Sequence, residues 1–144
     1  MNELNGYDIE DLSVGMSASF SKTITEADII LFAGASGDNN AIHINEAFAK
    51  KTPFKGRIAH GFLTASTISA AIANRLPGPG TIYLSQEMTF RGPVRPGDTV
   101  DATVTVKEID KKRKRVTLDT VCAVEGRVVV DGAALVKTTS RQKA

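Results

Sequence analysis

The chain has little thiol or imidazole to work with: its 144 residues include one cysteine, Cys122, and two histidines, His43 and His60. One cysteine excludes an intrachain disulfide and a Cys-rich zinc cage, and it suits a reducing compartment. Two histidines without ligand spacing make a poor metal site, so no metal is expected. A Gly-rich phosphate loop is missing, which speaks against a resident nucleotide cofactor. No stretch reaches the roughly eighteen apolar residues that a membrane span requires. The opening Met-Asn-Glu-Leu-Asn-Gly lacks a basic-then-apolar signal, so a cytoplasmic location without membrane attachment is expected. Repeats, low-complexity tracts and long linkers are also missing.

What is present fits one compact domain over residues 1–144, with its core at about 6–138. The chain is 42% hydrophobic and 24% charged, and this length buries a core without staples. Much of the formal +2 charge comes from residues 111–115, Lys-Lys-Arg-Lys-Arg, read as a solvated hairpin tip. Aromatics do not interleave the run and the net charge is mild, so no nucleic-acid partner is expected. A contact to the phosphates of a carrier stays open.

Hydrophobic periodicity then divides the chain. Met16, Ala18 and Phe20 alternate with Ser17, Ser19 and Ser21, which predicts a strand over 16–22. Thr25-Glu26-Ala27-Asp28 has the pattern of a capping box, opening a helix that Gly34 and Gly37 end. Residues 38–55 read as irregular, with a helical turn around 46–50. The longest helical pattern spans 60–76, with an apolar stripe of Gly61, Ala65, Ile68, Ile72 and Leu76. Ala70, Ala71 and Ala73 keep the rest slim, and Pro77-Gly78-Pro79-Gly80 stops the helix.

Past residue 80 the period changes to two. Strands are predicted over 81–90, 99–107, about 116–124 and 127–138. Thr120 is a polar exception on an apolar face, and Gly132 suggests a bulge. Short connections predict an antiparallel meander. The class is α+β, a single hot-dog domain in which a curved antiparallel sheet wraps a long central helix. An uncovered sheet edge is a liability, so a homodimer or higher homo-oligomer is expected.

Asp38 and His43 lie in the irregular stretch Ser36-Gly37-Asp38-Asn39-Asn40-Ala41-Ile42-His43. Five apart, they would not share a helix face, being roughly 140° around the axis. A turn at Gly37 and the Asn pair can instead bring carboxylate and imidazole to one point, where they would hold a water. Gly61 follows His60 at the start of the long helix. A free N–H there, beside the positive end of the dipole, suits a developing oxyanion.

These residues carry a resemblance. Residues 32–49 resemble the signature of the MaoC-like, (R)-specific enoyl-CoA hydratases, Gly-Asp-x-Asn-Pro-aliphatic-His with a small residue six positions on. Gly37, Asp38, Asn40, Ile42, His43 and Ala49 match, while Ala41 stands where the family has proline. His60-Gly61, the slim helix with Ser69, and Phe90, Pro93, Val94, Gly97 and Asp98 are similar too. The resemblance implies that Asp38 and His43 grip the water attacking C3 of an enoyl thioester. Asp38 is favoured as base, although the division between them stays open. Gly61 is implied as oxyanion donor, Asn40 as loop support and Ser69 as site lining. An acyl tail would pass Ile72, and Arg95, Arg91 or the 111–115 run would meet CoA phosphates. CoA is then part of the substrate, and no cofactor is implied.

Rival readings are an acyl-ACP dehydratase, a hot-dog acyl-CoA thioesterase and a non-catalytic acyl-CoA binding module. The thioesterase expects an acid on or beside the central helix, and residues 61–76 contain none. A binder would leave Asp38 and His43 unexplained.

Overall fold

A computed structural model describes residues 1–142. Five strands form one sheet: β1 (Ser17–Thr23), β2 (Ile82–Phe90), β3 (Thr99–Asp110), β4 (Arg115–Val124) and β5 (Arg127–Lys137). Four helices fall between the first two strands: α1 (Glu26–Ser36), α2 (Ala41–Ile44), α3 (Glu46–Ala49) and α4 (Gly61–Asn74). No helix among the described residues is long and apolar enough to cross a membrane.

All four pairings are antiparallel, in the order β1-β3-β4-β5-β2. The expected meander therefore covers only β3 to β5, and β2 lies at the far edge beside β5. The reason is that both edges of β3 are taken. One belongs to the β4 hairpin. The other belongs to β1, joined through outward pairs such as Ser19 Oγ and Thr103 Oγ1 at 2.8 Å and Thr23 Oγ1 and Thr99 Oγ1 at 2.7 Å. Gly132 marks a close approach rather than a bulge. It pairs in register with Met88, and a Cβ there would lie 1.9 Å from the Glu87 carbonyl oxygen. Bulges fall instead near Leu84, Lys107 and Cys122/Ala123. The 125–126 turn carries φ of 48° at Glu125 and 79° at Gly126, the left-handed pair that a two-residue hairpin needs.

The inner face of β3 is Val100, Ala102, Val104 and Val106, all buried and packed with Ile68, Ala71 and Ile72 of α4. Burial of such side chains contributes about 1.5–3 kcal/mol each for the larger ones. The buried stripe of α4 is rotated from the expected one. Thr64 and Thr67 are buried, whereas Gly61 is exposed and Ala65 is only half-buried. Thr67 can be buried because its hydroxyl donates to the Thr64 carbonyl at 2.7 Å inside the helix. Thr120, the polar exception, is likewise satisfied by the Gln86 amide at 3.0 Å. Burial pushes the Cys122 thiol up, so it offers no thiolate for nucleophilic chemistry.

The capping box at α1 forms as expected: Thr25 accepts from the Asp28 N–H, and Asp28 accepts from the Thr25 N–H. Lys22 of β1 lies 2.7 Å from the Asp28 carboxylate. Its ammonium first, then the Thr25 N–H, draw the Asp28 carboxyl down to about 2. The folded state thus favours ionised Asp28, which stabilises the protein above the ordinary aspartate range. That stabilisation is lost as pH falls from about 4 to about 2. The urea midpoint is expected to drop through this window, and Asp28→Asn to flatten part of the drop. Superimposable profiles for the two proteins would contradict the assignment.

Candidate active site at the start of the central helix

Asp38 is placed by the way α1 ends. Gly37 takes the left-handed C-cap, φ 81°, with its N–H donating to the Ala33 carbonyl. Ser36 donates to the Phe32 carbonyl at 2.7 Å and accepts from the Asp38 N–H at 3.1 Å. Asn40 then locks the turn twice. Its N–H donates to Asp38 Oδ1 at 3.2 Å, and its side chain caps α2 by accepting from the Ile42 N–H at 3.1 Å. One carboxylate oxygen is thereby committed to the loop. The other, Oδ2, lies 3.9 Å from His43 Nε2.

His43 is buried on α2, with Nδ1 2.8 Å from the Ile58 carbonyl. A carbonyl only accepts, so Nδ1 carries the proton and Nε2 is the nitrogen facing Asp38. His60 is buried too, and its Nε2 donates to the Asp38 carbonyl at 2.9 Å. The two imidazoles stack with centroids 3.9 Å apart, and Phe32 packs on His60 at 4.9 Å. Arg57 braces the surroundings by pairing with Glu26 of α1 and with Glu46 of α3, the latter at 3.0 Å. The Arg57 guanidinium holds the Glu46 carboxyl below its usual range.

Gly61 is the first residue of α4, so its N–H has no acceptor within the helix. It lines two clefts. One, about 380 Å³, is walled by Phe32, Ser36, Asp38, His60 and Phe62. The other, about 390 Å³, includes Phe54, Thr64, Phe90, Arg91 and Val130. Asp38, with His43 at 3.9 Å, thus shares a cleft with Gly61, two stretches of chain meeting there.

Other expected residues do not join them. Ser69 is exposed two turns along α4, about 12 Å from Gly61 by helical rise, and lines neither cleft. Ile72 is 2% exposed: it is buried on the expected stripe, so it presents no face to an acyl tail. Arg95 braces a loop: its N–H donates to Asp98 at 2.9 Å and its guanidinium to the Phe54 carbonyl. Arg91 is the cation on a cleft wall. The 111–115 run is the exposed β3–β4 turn. It lies near Lys137, at the end of β5 remote from Val130, away from both clefts. Sequence reasoning missed the two carbonyl ties of the histidines and the Phe90 ring against Gly61. One signal was available for the first: His60 stands where a helix cap favours Ser, Thr, Asp or Asn.

Asp38, His43 and His60 also present ligand atoms within 4.8 Å of one another. The carbonyl bonds leave one ring nitrogen on each histidine, and the Asn40 bond leaves Asp38 Oδ2.

A sheet packed on one helix, with a carboxylate and an imidazole gathered at its first N–H, defines a hot-dog domain built for proton transfer. The chain belongs to the MaoC like domain family, whose model matches residues 12–127. It is 54% identical to an (R)-specific enoyl-CoA hydratase of Rhodospirillum rubrum, over 92% of each chain. Over 99% of this chain and 90% of the relative, it is 47% identical to a 3-hydroxybutyryl-CoA dehydratase of Methylorubrum extorquens. The fold superimposes on unliganded R-hydratase PhaJ1 of Pseudomonas aeruginosa with a TM-score of 0.89 and 41% identity, covering 96% and 92% of the two chains.

A Cβ on Gly61 would lie 2.7 Å from Cε1 of Phe90. The Phe90 ring is half-exposed and can yield, so Gly61→Ala is expected to fold with a melting temperature close to the parent. The displaced ring would intrude on the clefts, lowering kcat/KM by about 10- to 100-fold. Unchanged kinetics would mean that Gly61 and its wall play no part in binding.

Proposed function

We propose that the chain is an (R)-specific enoyl-CoA hydratase, adding water reversibly and syn to a trans-2-enoyl-CoA to give the (R)-3-hydroxyacyl-CoA. The observation that carries this reading is the 3.9 Å gap between Asp38 Oδ2 and His43 Nε2, beside the first N–H of α4. The gap is too long for a direct hydrogen bond and fits a water bonded to both. Such a water donates a hydrogen to each acceptor and leaves its lone pairs for C3. The similarity to the hydratase of R. rubrum and the dehydratase of M. extorquens supports the same reaction in its two directions.

Asp38 takes a proton as the water oxygen bonds to C3. The π electrons move onto the thioester carbonyl, whose oxygen accepts from the Gly61 N–H. A donor of that kind contributes about 2.7–4 kcal/mol. The enolate then takes a proton at C2 from the same pair and the same face. The proton returned to C2 is the one that Asp38 Oδ2 took, while His43 Nε2, whose Nδ1–H is held by Ile58, goes on accepting a hydrogen bond from the oxygen now bound to C3. One proton enters the pair and one leaves. This chemistry calls for no metal or cofactor, and CoA belongs to the substrate. Arg91, on a cleft wall and paired there with Asp131 at 3.2 Å, takes the place of Arg95 as the candidate contact to the CoA phosphates. We place the reaction in the cytoplasm, in keeping with one buried, unpaired cysteine.

Positioned acid–base groups contribute about 10²–10⁴-fold. Asp38→Asn and His43→Gln are therefore expected to fold but lose at least about 10² in turnover. The assay follows ultraviolet absorbance of the conjugated thioester with crotonyl-CoA, and chiral analysis follows the product. Full rates in both variants would sink the mechanism, and release of free thiol would replace it with thioester hydrolysis.

We also propose that the protein works as a homodimer through β2. This nine-residue edge strand exposes Ile82 at 57% and Leu84 at 42%, and its outer edge is unpaired among the described residues. Light scattering is expected to give twice the chain mass, and Ile82→Lys with Leu84→Lys to give one. A monomeric parent at micromolar concentration would refute the pairing.

A further inference from the structure

We infer that His60 is a positioning residue, holding Asp38, His43 and Gly61 in one geometry without touching substrate; this rests on the hydratase reading above. His60 occupies the N-cap of α4 yet makes no side-chain cap hydrogen bond. Ser, Thr, Asp or Asn at such a position would satisfy one of the helix's free N–H groups. His60 is also 2% exposed, and its Nδ1 has no partner among the described residues. A buried, unpaired polar atom at a helix cap is unfavourable by itself. The site, rather than the helix, accounts for it.

Three contacts show what the ring does there. Nε2 donates to the Asp38 carbonyl at 2.9 Å and pins the main chain of the general base. Its face covers His43 at 3.9 Å with an interplanar angle of 27°. His43 is thus held at its edge by Ile58 and on its face by His60, which aims Nε2 at Asp38 Oδ2. Phe32 of α1 closes on His60 at 4.9 Å and restricts its rotation. The third link is covalent, because the next residue is Gly61. One residue therefore ties the base, the imidazole and the oxyanion donor together. Attack at C3 and charge on the thioester oxygen must be served at a fixed separation, and a misplacement of about 1 Å costs roughly 10²-fold.

The test separates the donor from the stack. His60→Phe keeps a ring but loses the N–H, whereas His60→Gln offers an amide N–H at similar reach without the ring. Both are assayed with crotonyl-CoA, kcat and KM being read separately at folded fractions matched by near-ultraviolet circular dichroism. His60→Phe is expected to lower kcat by about 10- to 100-fold with KM within about threefold, and His60→Gln to recover at least about tenfold of that loss. In an Asp38→Asn background, His60→Phe should change the residual rate by less than about threefold, because it acts through Asp38. A parental kcat in His60→Phe, or losses that multiply in the double variant, would overturn the assignment. If His60→Phe does not fold, His60→Leu replaces it; equal rates for Leu and Gln would then overturn the donor role. An inactive parent protein would instead count against the hydratase reading, leaving the two failures distinct.

Discussion

Each histidine spends one ring nitrogen on a backbone carbonyl of the other's segment, and the site depends on that exchange. His43 donates from the 38–43 loop to Ile58, and His60 donates back to Asp38. Both imidazoles are buried, and a lost partner would leave a desolvated polar group costing about 1–3 kcal/mol. Each bond also settles a tautomer. With Nδ1–H of His43 committed, Nε2 faces Asp38 as a hydrogen-bond acceptor. The same segments are joined by the Ile58 N–H to Ile42 at 3.3 Å, and the Ala59 N–H ties them to Val94 at 2.7 Å. The irregular loop is therefore anchored to the β2–β3 connection rather than left to its own propensities.

The sheet and central helix supply a fixed point for this loop. Val100, Val104 and Val106 against Ile68 and Ile72 are buried nearly completely, so the axis of α4 is set by packing with few alternatives. Its first N–H is then a rigid donor. Placing the donor on packed structure and the carboxylate on a loop divides the work sensibly. In the proposed mechanism the oxyanion contact must not move during charge development, while Asp38, half-exposed, must meet water and substrate.

The sequence made much of this legible, for reasons that differ by element. The strict alternation of residues 99–107, the capping box at Thr25 and the Pro-Gly stop after Leu76 encode local structure, and all three formed as read. Asp38 and His43 were visible through the resemblance of residues 37–49 to the family signature, and the turn that Gly37 and the two asparagines permit allowed them to meet. What failed was tertiary. The stripe of α4 rotated because Thr67 buries its hydroxyl by bonding within the helix, an option that a hydrophobicity pattern cannot register. Ile72 kept its place on the expected stripe, and its burial there is what removes it from the site. Placement of β2 beside β5 followed from competition for the edges of β3, which no single segment contains. Arg95 resembled a ligand contact but is claimed by Phe54 and Asp98, again through partners far apart in the chain.

The placement of β2 has a consequence for the site. Its last residue, Phe90, packs on Gly61 and tilts against Phe62 at 5.7 Å, so one strand is both the outer edge of the sheet and a wall of the cleft. An edge strand with one paired side opens more readily than an interior one. Covering the free side of β2 would damp that opening and steady the ring beside the oxyanion donor. Subunit pairing and catalysis would then be linked through a single aromatic contact. The same wall limits the rival chemistry. The catalytic-side cleft receives one carboxylate, Asp38 from the loop, and α4 itself carries none. A thioesterase acid on the helix has no counterpart in α4, whereas the base of the proposed hydration has one in Asp38.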